Sequence, residues 1–298
     1  MGAIGSFYAS KLSRSKVELS CVLRSDFNHV SKHGIKVIHN DGSQSVYQPD
    51  YCYGSIKDIQ NKLFDYIIIA TKTVENKTLV QQLQPILKNK PILVLLQNGL
   101  YIETLFKQQF NKLTLISGLA FICVTKIGAG VVHHMDYGRL IVGNYPNGST
   151  KEVSGFIDMF DNQPNLIQST ENIQLERYKK LVWNAAFNPL SVIYNGLNTQ
   201  QILQNSTIKK QVKLIMQDIQ KLAAADGYMI DGSVIDKNIE DTKKMQPYKT
   251  SMCIDWENNR PLEIEAILGN ALTRAKLLNC QLTQLSTLYQ QLSRFIND

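Results

Sequence analysis

The apolar residues of this chain change their spacing near residue 168, and this change constrains the fold more than any other feature of the sequence. Before it, short apolar runs predict strands at Val17–Leu23, Tyr66–Ala70 and Pro91–Leu96. Near-continuous apolar runs of this length are typical of strands that are buried on both faces of a parallel sheet. Leu115–Thr125 and Gly130–Gly143 are predicted to complete the sheet.

After residue 168 the spacing is helical throughout. One stripe follows the i, i+3/i+4 rhythm of an amphipathic helix: Ile208, Val212, Ile215, Ile219 and Leu222. A cap at Asn205 or Ser206 begins this helix, and Gly227 ends it. Pro261 can begin another helix, which we expect to run to about Asn279.

The chain begins with the pattern of a phosphate-binding glycine turn. Its first six residues match the last part of a G-x-G-x-x-G motif, with Gly2 and Gly5 as the second and third glycines. The second glycine of this motif lets a pyrophosphate approach the backbone, and the third lets the first helix pack on the first strand. We therefore expect Gly2, Ala3, Ile4 and Gly5 to bind a cofactor. Since no strand precedes the turn, we also expect the central first strand to be missing, through truncation or a misplaced start.

These features predict an α/β Rossmann-type dinucleotide-binding domain at residues 1–167, with its first strand missing, and an all-α domain at residues 168–298. Apolar residues make up 44% of the 298 residues and charged residues 19%, as in ordinary globular proteins. No apolar run has the length of a membrane span and no secretory leader is recognisable, so the cytoplasm is the expected location. The five cysteines are scattered and form no C-x-x-C pair, which indicates neither a metal site nor a disulfide framework.

The net charge of +7 does not indicate nucleic acid as a partner. The lysines are dispersed, and no basic run alternates with aromatic residues. A small anionic ligand explains the same charge more simply.

Three polar features follow predicted strands at their carboxyl ends, where open α/β sheets bind ligands. They are the glycine turn, Lys72 after Tyr66–Ala70, and Asn98 with Gly99 after Pro91–Leu96. Each could be an ordinary loop feature, but their coincidence favours one ligand crevice.

Arg24 indicates which dinucleotide is bound. It follows Val17–Leu23 at about the position where an acidic residue would bind the ribose 2′-hydroxyl of NAD. An arginine there suits the 2′-phosphate of NADP, and an exposed loop arginine is the alternative interpretation.

The most specific local pattern is a polar stripe within residues 180–190. Lys180, Asn184 and Asn188 are spaced i, i+4, i+8 and so share one helix face, while every other residue from Leu181 to Phe187 is apolar. A structural polar network is one interpretation; a lysine placed beside a carbonyl substrate is the other. All five histidines lie in the first half, and we expect none near the crevice. For a carbonyl reductase, lysine is therefore the best proton donor in this sequence.

Ser251 and Glu263 stand out in the helical half. Glu263 would occupy the third position of the Pro261 helix, where a capping-box glutamate is common. The same position puts a carboxylate at the positive end of the helix dipole, where it stays ionised and can accept from a substrate hydroxyl. The residues alone leave both interpretations open.

Together these motifs resemble ketopantoate reductase (2-dehydropantoate 2-reductase), a branch of the 6-phosphogluconate-dehydrogenase-like oxidoreductases. The resemblance covers essentially the whole chain: GAIGS at the start, ATK at 70–72, LLQNGLYIE at 95–103, GVVHH at 130–134, KLVWNAAFNPL at 180–190, and TSM with PLEIEAILG between 250 and 269. The K-x-x-x-N-x-x-x-N-P-L motif and the S-M…E spacing are specific, whereas the glycine loop is not.

The resemblance implies reduction of a small 2-keto acid, 2-dehydropantoate, to pantoate for pantothenate and coenzyme A synthesis. It implies that Lys180 is the general acid that protonates the ketone oxygen, and that Glu263 binds the substrate hydroxyl. Substrate would also be held by three further side chains: Asn184, Asn188 and Ser251.

The resemblance also implies that NADPH is the hydride donor. Arg24 would contact its 2′-phosphate and Glu103 would face its ribose. Lys72 and Asn98 would border both cofactor and substrate.

The segment Asp255–Arg260 is more polar than the resemblance leads us to expect, which bears on substrate identity. One alternative is a related reductase of another 2-keto acid, which would keep Lys180 and Glu263. Another is an inactive, N-terminally truncated paralogue, although such a chain should also have lost the lysine–asparagine stripe. The oligomeric state is left open, with a homodimer as one alternative.

Overall fold

The computed structural model describes residues 1–12, 15–59, 61–161, 163 and 165–296. The chain forms two compact units: Met1–Gln97 with Glu103–Ile173, and Asn98–Ile102 with Gln174–Asp298. The division falls after Ile173 rather than after residue 167, because a strand at Ile167–Ser169 still pairs within the sheet of the first unit. We call these the sheet unit and the helical unit.

The strands of the sheet unit are β1 (Ser20–Val22), β2 (Ile35–His39), β3 (Gln44–Tyr47), β4 (Tyr51–Tyr53), β5 (Tyr66–Ile69), β6 (Ile92–Leu95), β7 (Leu115–Gly128), β8 (Val131–Asn144) and β9 (Ile167–Ser169). One sheet has the order β3-β2-β8-β7-β6-β5, with β9 beside β8, while β1 and β4 form a separate parallel pair. β5 and β6 are parallel, as are β6 and the start of β7. Among the described residues no strand joins β1 to β5.

The helices of the sheet unit are α1 (Ala3–Ala9), α2 (Phe27–His33), α3 (Asn76–Leu83), α4 (Glu103–Gln109) and α5 (Lys151–Asp158). Phe7 of α1 and Phe156 of α5 join Val94 of β6 in one buried apolar core. Since Leu93, Val94 and Leu95 have no exposed surface, the prediction that this strand is buried on both faces is confirmed.

The helices of the helical unit are α6 (Ile173–Ile193), α7 (Thr199–Gln204), α8 (Ser206–Ala225), α9 (Ser233–Lys244), α10 (Ser251–Glu257), α11 (Asn270–Leu277) and α12 (Thr283–Phe295). The predicted cap of α8 is confirmed, because Asn205 Oδ1 accepts from the amides of Thr207 and Ile208 at 3.0 and 3.1 Å. The predicted apolar stripe of α8 is buried. Within the described part of the chain, no helix has the length and apolar character needed to cross a membrane.

The helix expected to start at Pro261 begins later. The chain becomes helical at Ile264, and Glu265–Gly269 is a π-helical segment that leads into α11. The turn after α10 extends to Arg260, whose amide donates to the Asp255 carbonyl at 2.9 Å. Residues 261–263 then connect this turn to the helix that begins at Ile264. Glu263 therefore precedes the helix, and the prediction that it occupies the capping-box position was wrong.

Candidate active site

The glycine turn packs α1 closely on the end of β5. A Cβ atom at Gly5 would lie 3.3 Å from the Cβ of Ala70, whereas one at Gly2 would meet nothing within 4 Å. Gly2 is the exposed N-cap of α1, and Ala3 and Ile4 form its partly exposed first turn. These are the properties that a dinucleotide turn needs: a close helix–strand contact at the third glycine and an open backbone at the second.

Arg24 lies two residues after the end of β1, and Lys72 lies three residues after the end of β5. The side chain of Arg24 is 75% exposed, and its Nη1 donates to Glu75 Oε1 at 2.8 Å. A surface ion pair of this kind contributes little to stability, so the guanidinium can exchange its partner for a phosphate at small cost. The Nζ atom of Lys72 is shielded from solvent.

Two buried side-chain amides, those of Asn76 and Gln97, were missed in the sequence analysis. They hold Thr71 and Gln97, the residues just before Lys72 and Asn98. Asn76 Nδ2 donates to Gln97 Oε1 at 3.0 Å, and Gln97 Nε2 donates to Asn76 Oδ1 at 2.8 Å. Gln97 Nε2 also donates to the Thr71 carbonyl at 2.8 Å. Gln97 stands inside the LLQNG motif, which is the signal that could have found it.

Glu103 is not placed for the expected ribose contact. It begins α4 with 0% exposure, and its Oε1 accepts from the Ser117 hydroxyl of β7 at 2.6 Å. A side chain without exposed surface cannot contact a bound ribose unless the surrounding core moves. Glu103 instead anchors α4 to β7, which corrects the role expected from the sequence.

In the helical unit, Lys180, Asn184 and Asn188 follow one face of α6 at the predicted spacing. Lys180 Nζ donates to Asn98 Oδ1 at 2.8 Å. Asn184 and Asn188 are 8% and 2% exposed. Within the described part of the chain neither of these two side-chain amides is hydrogen-bonded, and neither is fully sealed from solvent. Both amides are therefore available to form hydrogen bonds with a ligand.

Burial of its ammonium group, aided by the positive charge of Arg177, lowers the pKa of Lys180 to about 7, while the carboxylate of Glu263 opposes this shift. Glu263 is partly exposed. A lysine whose pKa lies near neutral pH can act as a general acid under physiological conditions.

Ser251 is the exposed first residue of α10. Capping of this helix is performed by Thr250, whose Oγ1 accepts from the Cys253 amide at 3.1 Å. The Ser251 hydroxyl is thus not needed as a cap. The polar Asp255–Arg260 segment has a local structural reason, since Arg260 Nε lies 3.0 Å from the buried Oδ1 of Asp255.

Gly99 brings the backbone after Asn98 against the π-helical segment. Its φ angle is 109°, and a Cβ atom there would lie 2.5 Å from the Ala266 carbonyl oxygen. No side chain fits this position without a backbone shift.

We expect Gly99→Ala to lower the free energy of unfolding by about 3 kcal/mol, through a strained backbone and steric overlap. Gly227→Ala is the matched control, because Gly227 has a φ of 84° but nothing within 4 Å of an added Cβ. Thermal or denaturant unfolding of both variants measures the difference. Equal losses in the two variants would show that the contact with Ala266 is unimportant.

A glycine turn in a Rossmann-type sheet unit and a lysine–asparagine stripe in a following helical unit define an oxidoreductase of the dinucleotide-binding class. The family model for ketopantoate reductase PanE/ApbA matches residues 1–147, and the model for its C-terminal domain matches residues 172–295. The chain belongs to the ketopantoate reductase family.

Known proteins agree with this assignment over more than nine tenths of their length. The chain is 35% identical to a 2-dehydropantoate 2-reductase of Nostoc sp., covering 98% of this chain and 92% of that protein. The crystal structure of 2-dehydropantoate 2-reductase from Methylococcus capsulatus is 37% identical with a TM-score of 0.89, covering 100% of this chain and 94% of that one. A D-mandelate dehydrogenase in ternary complex with NADH and anilino(oxo)acetate shares the fold, with 21% identity and a TM-score of 0.86 over 99% and 96% of the chains.

Proposed function

We propose that this chain reduces 2-dehydropantoate to pantoate with NADPH, a step of pantothenate and coenzyme A biosynthesis. The observation that carries the proposal is the 2.8 Å bond from Lys180 Nζ to Asn98 Oδ1, on a helix face that also holds the unengaged amides of Asn184 and Asn188. A proton donor and adjacent uncommitted amides are what a small keto acid needs.

Lys180 supplies the proton. As a ketone is reduced, negative charge develops on its oxygen, and a nearby ammonium both stabilises this charge and neutralises it by proton transfer. Its ammonium has three N–H donors, and the bond to Asn98 orients the group on this face of α6. The pKa of about 7 keeps a large part of Lys180 protonated at neutral pH and makes the transfer easy.

The remaining polar side chains bind and orient the substrate. Asn184 and Asn188 hydrogen-bond to it from the Lys180 face of α6, with Asn188 nearer to its hydroxyl end. Glu263 accepts from the hydroxyl, and Ser251 donates to the carboxylate. Holding the ketone in one orientation is itself a large part of the rate enhancement.

A nicotinamide cofactor held at the glycine turn would supply the hydride for C2 of the substrate. The close packing at Gly5 and the open backbone at Gly2 fit a pyrophosphate at this turn, formed by Gly2, Ala3, Ile4 and Gly5. Arg24 would bind the 2′-phosphate.

We expect Arg24→Ala to lower kcat/KM for NADPH by about 10- to 100-fold and to leave the value for NADH nearly unchanged, since a charge-assisted hydrogen bond to phosphate is lost. Glu75→Ala is the control: it removes the partner of Arg24 but keeps the guanidinium, so the preference for NADPH should persist. Steady-state kinetics with both cofactors provides the measurement. Equal efficiency of NADPH and NADH in the unmodified protein would contradict the cofactor assignment.

A panel of 2-keto acids tests the substrate. We expect 2-dehydropantoate to be preferred by about 100-fold or more over 2-ketoisovalerate, which lacks the hydroxyl. Without this hydroxyl the carboxylate of Glu263 has no hydrogen-bond partner in the substrate, and binding energy is lost. If a keto acid without this hydroxyl is reduced as efficiently, the chain is a reductase of another 2-keto acid. The homodimer and the cytoplasmic location stay predictions.

A further inference from the structure

The short segment Asn98–Ile102 packs with the helical unit, although the residues on both sides of it in the chain belong to the sheet unit. The amide of Leu100 donates to the Ala266 carbonyl at 2.9 Å, and Asn270 Nδ2 donates to the Leu100 carbonyl at 2.7 Å. The Tyr101 hydroxyl donates to a carboxylate near the end of α8, that of Asp226. Backbone and side-chain bonds thus hold this segment along its length.

Arg177 binds the same segment next to the candidate proton donor. Its Nη1 donates to the Gly99 carbonyl at 2.8 Å, and the residue is only 1% exposed. A fully buried arginine is uncommon and costly unless it is hydrogen-bonded. Arg177 and Lys180 are one helical turn apart on α6, so their side chains leave neighbouring points of the same face. Helix α6 therefore contacts the segment twice, at Gly99 through Arg177 and at Asn98 through Lys180.

Lys180 needs this support because its ammonium stands on a flexible four-carbon stem. The Asn98 amide fixes the ammonium only if the Asn98 backbone is itself fixed. Gly99 has no side chain that could pack, so its carbonyl bond to Arg177 is a direct tether for the peptide that follows Asn98.

We propose that Arg177 is a positioning residue that sets the place of the Asn98 amide, and through it that of the Lys180 ammonium, by holding the Gly99 carbonyl. This inference rests on the proposed function for its catalytic consequence, but the tether itself is a property of the helical unit.

The test compares Arg177→Met with Arg177→Lys. Methionine keeps a long apolar stem and removes both the charge and the donors; lysine keeps the charge but not the planar guanidinium. Tyr194→Phe is the control, because Tyr194 lies just beyond the far end of the same helix and the variant removes one hydrogen bond, to Gln211 Oε1 at 2.9 Å. For each variant we would measure hydrogen exchange of the Leu100 amide and kcat for 2-dehydropantoate.

We expect Arg177→Met to speed exchange at Leu100 and to lower kcat by about 10- to 100-fold, as a misplaced catalytic group does. Arg177→Lys should also lower kcat, by an amount that follows its own change in Leu100 exchange. Tyr194→Phe should change neither quantity. The proposal is wrong if kcat falls in an Arg177 variant whose Leu100 exchange is normal, or if exchange rises while kcat stays normal.

A pH profile separates the tether from the charge. Arg177 and the opposing Glu263 are the charged groups that act on Lys180, so loss of the Arg177 charge should raise the pKa of Lys180. The high-pH decline of kcat should move upward in Arg177→Met and stay in place in Arg177→Lys. If Arg177→Lys restores full kcat while its Leu100 amide still exchanges fast, the charge alone matters and the positioning role is refuted.

Failure of the proposed function is distinguishable from failure of this inference. Leu100 exchange needs no substrate, and neither does NMR titration of ¹³C-methylated Lys180, assigned by its loss in Lys180→Ala. If the unmodified protein reduces no keto acid, the proposed function fails while these two measurements still decide whether Arg177 holds the segment. Normal Leu100 exchange in both Arg177 variants would overturn the tether.

Discussion

Lys180→Ala is expected to lower kcat by about 10²- to 10⁴-fold while the fold is retained, which is the range for the loss of a general acid. Lys180 is the only member of the polar stripe on α6 that can donate a proton, and its Nζ is already oriented by Asn98 at 2.8 Å. Removal of the buried ammonium also removes a desolvation cost, so we expect no large loss of stability.

Lys179→Ala is the matched control for this prediction. Lys179 is adjacent in sequence but pairs with Glu176 at 2.7 Å on a more exposed part of the helix, so its loss should leave kcat unchanged. Steady-state kinetics and circular dichroism of both variants give the comparison. Near-normal turnover in a folded Lys180→Ala protein would exclude Lys180 as the donor.

Glu263→Gln is expected to raise KM for 2-dehydropantoate by about 10- to 100-fold, because the charge-assisted bond to the substrate hydroxyl is replaced by a weaker neutral one. The structure supports this interpretation over the capping one, since Glu263 precedes the helix that begins at Ile264. Its carboxylate raises the pKa of Lys180, so its loss should also move the high-pH decline of kcat to lower pH.

Glu265→Gln is the control for the second prediction. Glu265 is an exposed carboxylate two residues further on, and its Oε1 accepts from the Tyr289 hydroxyl at 2.6 Å. Glutamine keeps an acceptor for Tyr289 but removes the charge, which should affect stability slightly and KM not at all. If Glu263→Gln lowers only the melting temperature, Glu263 is a structural residue and the substrate contact is absent.

The parts of the fold and of the candidate site that could be predicted are those with a local sequence pattern, such as helical spacing or an apolar run. The i, i+4, i+8 spacing placed Lys180, Asn184 and Asn188 on one face because helix geometry alone determines this. The apolar runs at β5 and β6 marked both segments as strands, and β6 is buried as predicted. In β5 only Ile69 is buried, so the prediction of full burial was wrong for that strand.

Tertiary contacts determined what the sequence could not predict. In the sequence, Arg177 looks like any other arginine on a helix. Its role becomes visible only through its hydrogen bond to the carbonyl of Gly99, which is distant in the chain. The sequence assigned Glu103 to the cofactor, but in the structure its side chain is buried and accepts from the Ser117 hydroxyl of β7. The late helix start at Ile264 is followed at once by a π-helical segment, Glu265–Gly269, which the sequence pattern did not predict.

The pH dependence of kcat for reduction of 2-dehydropantoate tests the central claim most directly. The expected profile appears only if the chain reduces this substrate and Lys180 donates the proton. With a pKa of about 7, Lys180 is protonated at lower pH and loses its proton as the pH rises through that value. Only the protonated form donates, so kcat should be constant in mildly acidic solution and fall above about pH 7. A kcat that stays constant for about two pH units above neutrality, or that rises there, would contradict the account.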